Sequence, residues 1–147
     1  MTPETLLKKA DRALVSAYVL FRDGDTEGTC NRSYYAMFNA ARAALILVGA
    51  PSEVTEGKSY SGLHSAFNQY LVKPGHIPQV LGAKFRRAER LRQISDHLGD
   101  PIESEKVELT LNYAREFVQK IKSELGLPPK KRGQLFYPDA GIDELYH

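Results

Sequence analysis

Apolar side chains recur every three or four residues along most of the chain, and this pattern restricts the fold more than any other feature. In the last predicted helix the spacing alternates between four and three residues, as in a coiled-coil seam, at Val107, Leu111, Ala114, Val118, Ile121 and Leu125. A helix with such a stripe buries one side against its neighbours. No segment has the strict alternation that predicts a strand. The chain is therefore predicted to be all-α.

Proline and glycine residues divide this pattern into five predicted helices. The helices run from about residues 3 to 22, 30 to 48, 60 to 72, 78 to 98 and 104 to 125. A loop is expected over residues 51–58, and short links favour an antiparallel up-and-down bundle of four to five helices. The second helix is apolar on nearly every side, which predicts a position at the centre of the bundle or in an oligomer interface.

Length and composition are those of one globular domain. The chain has 147 residues, and we assign residues 1–126 to the bundle and 127–147 to a C-terminal tail that packs on the body or on a second subunit. The net charge of +2 neither requires nor excludes a polyanionic partner. Cys30 is the only cysteine, so no intrachain disulfide can form, and a reduced, cytoplasmic location is the simplest interpretation. No signal peptide or membrane span is predicted.

Two segments carry polar and aromatic side chains that core packing alone does not require. Residues 31–38 read Asn-Arg-Ser-Tyr-Tyr-Ala-Met-Phe at the start of the apolar second helix, and residues 92–97 read Arg-Gln-Ile-Ser-Asp-His. Each segment alone is compatible with an ordinary helix. Together they indicate a helical module that binds nucleotides or processes nucleic acid.

Arg92 and His97 are the residues with the clearest chemistry. Cleavage of RNA without a metal needs a base for the ribose 2′-hydroxyl, which a histidine supplies near neutral pH. It also needs a cation for the charge that develops on the phosphate, and arginine forks onto phosphate oxygens. Asn31 can hydrogen-bond the phosphate or orient the histidine. His64 and His76 lack partners at metal-ligand spacing, so we interpret both as non-ligands and predict no metal or cofactor.

The spacing of Arg92 and His97 leaves their spatial relationship open. They are five residues apart, which places them about 140° apart around a regular helix. Either the helix unwinds before Gly99, or the two residues meet across a dimer interface. The structural alternative is an Arg92–Asp96 ion pair at i, i+4 spacing with a solvated His97.

A basic run and two tyrosines are candidate contacts for nucleic acid. Residues 84–92 hold five cations and one anion, and Arg86, Arg87 and Arg90 are expected on the outward face, where they can follow a phosphate backbone. A solvated helix face is the alternative interpretation of such a run. The tyrosines can stack on bases beside a further cation, or one can belong to the core and the other to an interface. These candidate residues are Arg32, Tyr34 and Tyr35.

The segments described above resemble the HEPN superfamily (higher eukaryote and prokaryote nucleotide-binding domain), in its small stand-alone prokaryotic branch. The matching stretches are residues 31–41, 58–63, 92–97 and 114–118, and together they cover about residues 5 to 125. The resemblance implies a bundle of four or five helices that usually forms a homodimer. It also implies a relationship to metal-independent ribonucleases, which are often toxins paired with a small nucleotidyltransferase antitoxin.

The resemblance also implies roles for individual residues. In such relatives an arginine is followed, after four to six residues, by a histidine, and Arg92 and His97 match with four residues between them. The two signatures of a dimer face each other across a shared cleft, and Asn31 occupies the place of a polar residue that joins the site. The sequence departs from the branch at His97, where tyrosine is usual, and from the toxin subgroup at Gly99, where a modified tyrosine is common.

We therefore predict a metal-independent endoribonuclease of toxin–antitoxin type, with a composite site at a homodimer interface. Its catalytic residues would be Arg92, His97, Asn31 and Asp96, with Asp96 orienting the arginine, and its substrate would be RNA, as tRNA or mRNA. The alternative is a non-catalytic module that binds a nucleotide or works with a small nucleotidyltransferase. The third interpretation is a helical dimer scaffold without a ligand.

Overall fold

The computed structural model describes residues 1–56, 60–98 and 102–125, and of residues 60, 61, 97 and 98 the backbone alone. All regular secondary structure in these ranges is helical, which confirms the predicted all-α class. The helices are α1 (Pro3–Arg22), α2 (Thr26–Leu47), α3 (Ser52–Thr55), α4 (Tyr60–Phe67), α5 (Gln79–Gln93) and α6 (Ser104–Glu124). A π-helical turn extends α4 over Asn68–Val72, and another extends α5 over Ile94–Leu98. The predicted tail at residues 127–147 lies outside the described residues.

Most predicted helix bounds agree with the structure to within a few residues, with two differences. Helix α2 begins at Thr26, earlier than predicted, because the Asp25 side chain caps it by accepting a hydrogen bond from the Gly28 amide at 2.7 Å. The prediction of a loop over residues 51–58 is wrong where Ser52–Thr55 forms the short helix α3. The Thr55 carbonyl oxygen accepts from Arg42 Nε at 2.8 Å, so a tertiary contact fastens this turn to α2.

Helix α2 lies at the centre of the bundle, as its apolar sequence predicted. It contacts α1, α4, α5 and α6. Its fully buried alanines are Ala36, Ala40, Ala41, Ala43 and Ala44. Their short side chains let the neighbouring helices approach closely, since the distance between helix axes depends on the side chains at the contact. The same packing fixes the position of the polar segment at residues 31–38.

Helix α6 closes the bundle against α1 and α2. Its buried apolar residues are Val107, Leu111, Ala114, Phe117, Val118 and Ile121, which confirms the predicted seam and adds Phe117 to it. Lys122 Nζ donates to both carboxylate oxygens of Asp11 in α1, at 2.9 and 3.1 Å. Neither charge is left unpaired in the interior, where an isolated charge would be costly.

We expect Leu111→Ala to lower the free energy of unfolding by about 2–5 kcal/mol, because Leu111 is fully buried and its truncation leaves a cavity in the core. Leu109→Ala is the matched control in the same helix, at a side chain that is 38% exposed, and should cost much less. Urea denaturation followed by circular dichroism measures both losses. Equal losses for the two variants would contradict this core.

Candidate functional site

The two polar segments of the sequence meet where α2 packs against the end of α5. The guanidinium carbon of Arg92 lies 5.3 Å from the centroid of the Tyr34 ring, and Arg92 Nη1 donates to Asp96 Oδ2 at 2.9 Å. The Arg92 side chain is only 12% exposed. The cation–π contact and the charge-assisted hydrogen bond together hold the guanidinium in one orientation. The predicted i, i+4 ion pair is therefore present.

Cys30 is buried in α2, which contacts the π turn over Ile94–Leu98. Burial raises the pKa of the Cys30 thiol to about 11, and the negative charge of Asp96 adds to the rise. Asn31 follows Cys30 in α2 and is exposed to solvent. A thiol with this pKa stays protonated at neutral pH, which gives Cys30 a packing role.

A π-helical turn carries both Asp96 and His97, and it changes the geometry expected from the sequence. Hydrogen bonds in a π-helix join residues five apart, whereas those of an α-helix join residues four apart. The separation of about 140° that a regular helix gives Arg92 and His97 does not apply to this wider turn. The helix thus departs from regular geometry before Gly99. The side chain of His97 lies outside the described residues.

The two adjacent tyrosines have opposite environments. Tyr34 is 1% exposed and belongs to the core, whereas Tyr35 is 37% exposed. The guanidinium carbon of Arg32 lies 4.4 Å from the centroid of the Tyr35 ring. A buried ring offers no face to a base, so the predicted stacking role does not fit Tyr34, and the alternative of one core tyrosine does. Tyr35 is exposed and Arg32 is half-buried beside it, and both stay candidate contacts for nucleic acid.

A buried polar cluster next to Arg92 was not anticipated from the sequence. His64 Nε2 lies 2.7 Å from Glu89 Oε2, and the Tyr34 hydroxyl donates to the same oxygen at 3.1 Å. The His64 ring packs against Phe85, with centroids 4.0 Å apart. These contacts join α2, α4 and α5, and we refer to His64, Glu89 and Tyr34 as the His64 cluster.

The His64 cluster keeps its imidazole neutral near pH 7. Burial lowers the pKa of His64 from its usual range, and the positive charge of Arg86 lowers it further, while the Glu89 carboxylate opposes both. The short contact with a carboxylate assigns the ring proton to Nε2, because a neutral imidazole nitrogen must donate to bond with a carboxylate.

The sequence held two weak signals of this cluster. His64 interrupts an apolar stripe between Leu63 and Phe67, and Glu89 is the single acid in a basic run. The two residues belong to different helices, so spacing rules within one helix do not pair them. His64 has no acidic partner at a suitable spacing along the sequence, and the fold supplies Glu89.

A groove of about 510 Å³ with basic walls lies between α5 and α6. Its charged lining residues are Arg86, Arg87, Arg90 and Lys106. The three arginines are exposed, as predicted for the outward face of α5. Arg92 instead faces Tyr34 of α2, so the groove and the Arg92 ion pair use different sides of α5. Ile94, the first residue of the π turn, also lines the groove, which therefore reaches the turn that carries Asp96 and His97.

The described residues hold no group of three His, Cys, Asp or Glu side chains placed as metal ligands. His76 is exposed in the link before α5. Within the same ranges, no helix combines the length and the apolar character that crossing a membrane requires.

Comparison with known proteins relates the chain to one family of domains. The family model described as the HEPN domain matches residues 3–124. A UPF0332 protein of Gloeobacter violaceus is 38% identical over 101 residues, which cover 67% of this chain and 76% of that protein. A protein of Methanocaldococcus jannaschii named "Putative toxin MJ0605" is 28% identical over 122 residues, which cover 83% of this chain and 87% of that protein. A UPF0332 protein of Pyrococcus horikoshii is 33% identical over 96 residues, 63% of each chain.

The free energy of unfolding should fall as the pH is lowered below about 6.5, the pKa of a histidine in an unfolded chain. The folded state lowers the pKa of His64, so the unfolded state binds a proton first as the pH falls, and it becomes more favoured. This loss of stability stops once the pH is also below the pKa of His64 in the folded state. Urea denaturation of the wild type and of His64→Gln at several pH values measures this, and the variant should lose part of the dependence. His76→Gln, at an exposed histidine, is the control. An unchanged pH dependence in His64→Gln would contradict the assignment.

Proposed function

Because the chain belongs to the HEPN domain family, we propose that it is a metal-independent endoribonuclease of toxin type that works as a homodimer. The relative named "Putative toxin MJ0605" supports the toxin-like role. The observation that carries the proposal is the Arg92–Asp96 pair, which holds a guanidinium directly before the π turn that contains His97. A small nucleotidyltransferase is the proposed antitoxin.

In the proposed reaction, His97 takes the proton of a ribose 2′-hydroxyl, and the 2′-oxygen attacks the adjacent phosphorus. The 5′-oxygen leaves and takes a proton from the protonated His97 of the partner subunit, so that the RNA ends in a 2′,3′-cyclic phosphate. Arg92 stabilises the charge on the phosphate oxygens, because its guanidinium stays charged and forks onto two oxygens. Asn31 positions the phosphate, and Asp96 orients Arg92.

Two features of Arg92 suit it to this role. Its guanidinium is held by the Tyr34 ring and by Asp96, so it loses little side-chain entropy when it binds a phosphate. Its low exposure also limits screening by water, which strengthens its attraction for a negative charge. A freely solvated arginine would have neither property.

The groove between α5 and α6 supports RNA as the substrate. Arg86 and Arg90 are four residues apart, so their backbones are about 6 Å apart along the helix axis, and Lys106 faces them from α6. Such a row of cations binds a phosphate backbone without regard to sequence. Since Ile94 lines the groove, an RNA strand bound in it would approach the turn that carries His97.

A second candidate is a non-catalytic module that binds a nucleotide or works with a small nucleotidyltransferase. The Arg92–Asp96 pair is also consistent with this function. Its role would then be structural, since the ion pair joins α5 to its π turn. Calorimetric titration with nucleotides, combined with the absence of RNA turnover, would identify such a module. A pulldown with the nucleotidyltransferase would test the partner.

We expect His97→Ala to abolish RNA cleavage while leaving the fold and the RNA affinity largely intact, because the variant removes the proton acceptor and keeps Arg92. Purified wild type, His97→Ala and the exposed-histidine control His76→Ala are incubated with total RNA and with tRNA in the presence of EDTA. End-group analysis should find a 2′,3′-cyclic phosphate with the wild type and with His76→Ala only. Cleavage by His97→Ala at the wild-type rate would refute the proposal.

RNA affinity should fall in Arg87→Gln and Arg90→Gln, because each variant removes one cation from the groove. For single-stranded RNA, each lost phosphate contact should reduce the slope of log affinity against log salt by about 0.7. Fluorescence anisotropy at several salt concentrations measures both effects. Lys8→Gln, at an exposed cation of α1, is the control. An equal loss in the control would show that net charge, and not the groove, determines binding.

A further inference from the structure

A cavity of about 260 Å³ lies between α5 and the end of α4. Its polar lining comes from His64, Asn68, Gln79 and Arg86, and its apolar lining includes Phe67 and Val72. Asn68 and Val72 are the first and last residues of the π turn that extends α4, and such turns are frequent at functional sites. The wall thus combines a permanently charged guanidinium, an imidazole and two amides in a small, partly apolar space.

The His64 cluster determines which ring nitrogen can exchange a proton. Glu89 Oε2 takes the hydrogen bond from His64 Nε2, so the titrating proton is the one on Nδ1. The hydroxyl of Tyr34 donates to the same carboxylate oxygen and helps to hold Glu89 in place. The imidazole is therefore fixed in one orientation and tautomer, and it can accept one more proton.

Two charged groups, both from α5, determine how easily that proton binds. The carboxylate of Glu89 favours the protonated ring, and the guanidinium of Arg86 disfavours it. Tyr34 is the titratable residue that α2 places against the ring. An anion in the cavity would offset the charge of Arg86 and attract the proton to His64. Binding of an anion and protonation of His64 would therefore favour each other, as thermodynamic linkage requires.

We propose that this cavity binds a phosphate group, with Arg86 as its charged contact and His64 as the residue that takes up a proton when the phosphate enters. A guanidinium can fork onto two phosphate oxygens, and the amides of Asn68 and Gln79 can donate to a third. The apolar lining from Phe67 and Val72 reduces screening and strengthens these contacts. The site uses neither Arg92 nor His97, so it goes beyond the ribonuclease proposal.

Titration calorimetry with inorganic phosphate tests the site. Arg86→Gln should weaken binding about tenfold or more, because it removes charged hydrogen bonds. Arg86 is exposed, so the variant should keep the fold. Arg90→Gln is the matched control, since Arg90 lines only the groove between α5 and α6, and it should leave the affinity nearly unchanged. Equal losses in the two variants, or no measurable binding by the wild type, would overturn the proposal.

The proton linkage is tested with sulfate, which keeps its charge over the range in which His64 titrates. Wild-type affinity for sulfate should rise as the pH falls below about 7, and His64→Gln should remove that dependence. The His64 ring followed by NMR should show a higher pKa with sulfate bound. A His64 pKa that sulfate leaves unchanged would overturn the role of His64. This pKa is measured on the wild type, so the result does not depend on how the variant folds.

Two further comparisons identify the source of the phosphate. A 5′-mononucleotide that binds more tightly than inorganic phosphate, while its nucleoside does not bind, indicates a nucleotide. An RNA oligomer that binds more tightly with a 5′-phosphate than without one, and loses that difference in Arg86→Gln, indicates an RNA end. All these titrations are made without turnover, so their failure leaves the cleavage assay with His97→Ala as the separate test of the ribonuclease proposal.

Discussion

Close packing against the alanines of α2 determines where Tyr34, Arg92 and Asp96 lie relative to one another. Ala36, Ala40 and Ala44 are fully buried, and larger side chains at these positions would force neighbouring helices outward. Cys30 and Tyr34 belong to the same helix, and Arg92 and Asp96 reach them only because α5 approaches α2 so closely. The polar contacts are short because the apolar packing permits it. A fold with the same helices and a wider spacing would lose the contact of Arg92 with Tyr34.

Tyr34 connects the two polar arrangements of the molecule. The face of its ring lies against the Arg92 guanidinium, and its hydroxyl bonds to Glu89 beside His64. One fully buried side chain thus touches the proposed catalytic arginine and also Glu89, the partner of the His64 ring that lines the small cavity. Buried polar groups of this kind must be satisfied together, because each lost partner leaves another group unpaired in a low-dielectric interior. The two sites are therefore distinct in chemistry and share one structural support.

The parts of the structure that follow from local spacing were predictable, and the parts that depend on tertiary contacts were not. The apolar period located the main helices and the buried seam through Leu111, and the i, i+4 rule located the Arg92–Asp96 pair. The sequence left open whether the helix unwinds before Gly99, and the structure has a π turn over Ile94–Leu98. The apolar pattern could not decide this, because a change in backbone hydrogen bonding leaves no mark on it. The pairing of His64 with Glu89 was missed because it needs the arrangement of three helices.

The ion pair between Asp11 and Lys122 has a consequence for synthesis on the ribosome. Its partners belong to the first and the last described helices, 111 residues apart, and α6 also covers α2. Until α6 has left the exit tunnel, the emerging chain cannot complete its interior, and the alanine-rich surface of α2 stays open to other nascent chains or chaperones. Closure of the interior therefore depends on α6, the last of the described helices to be synthesised.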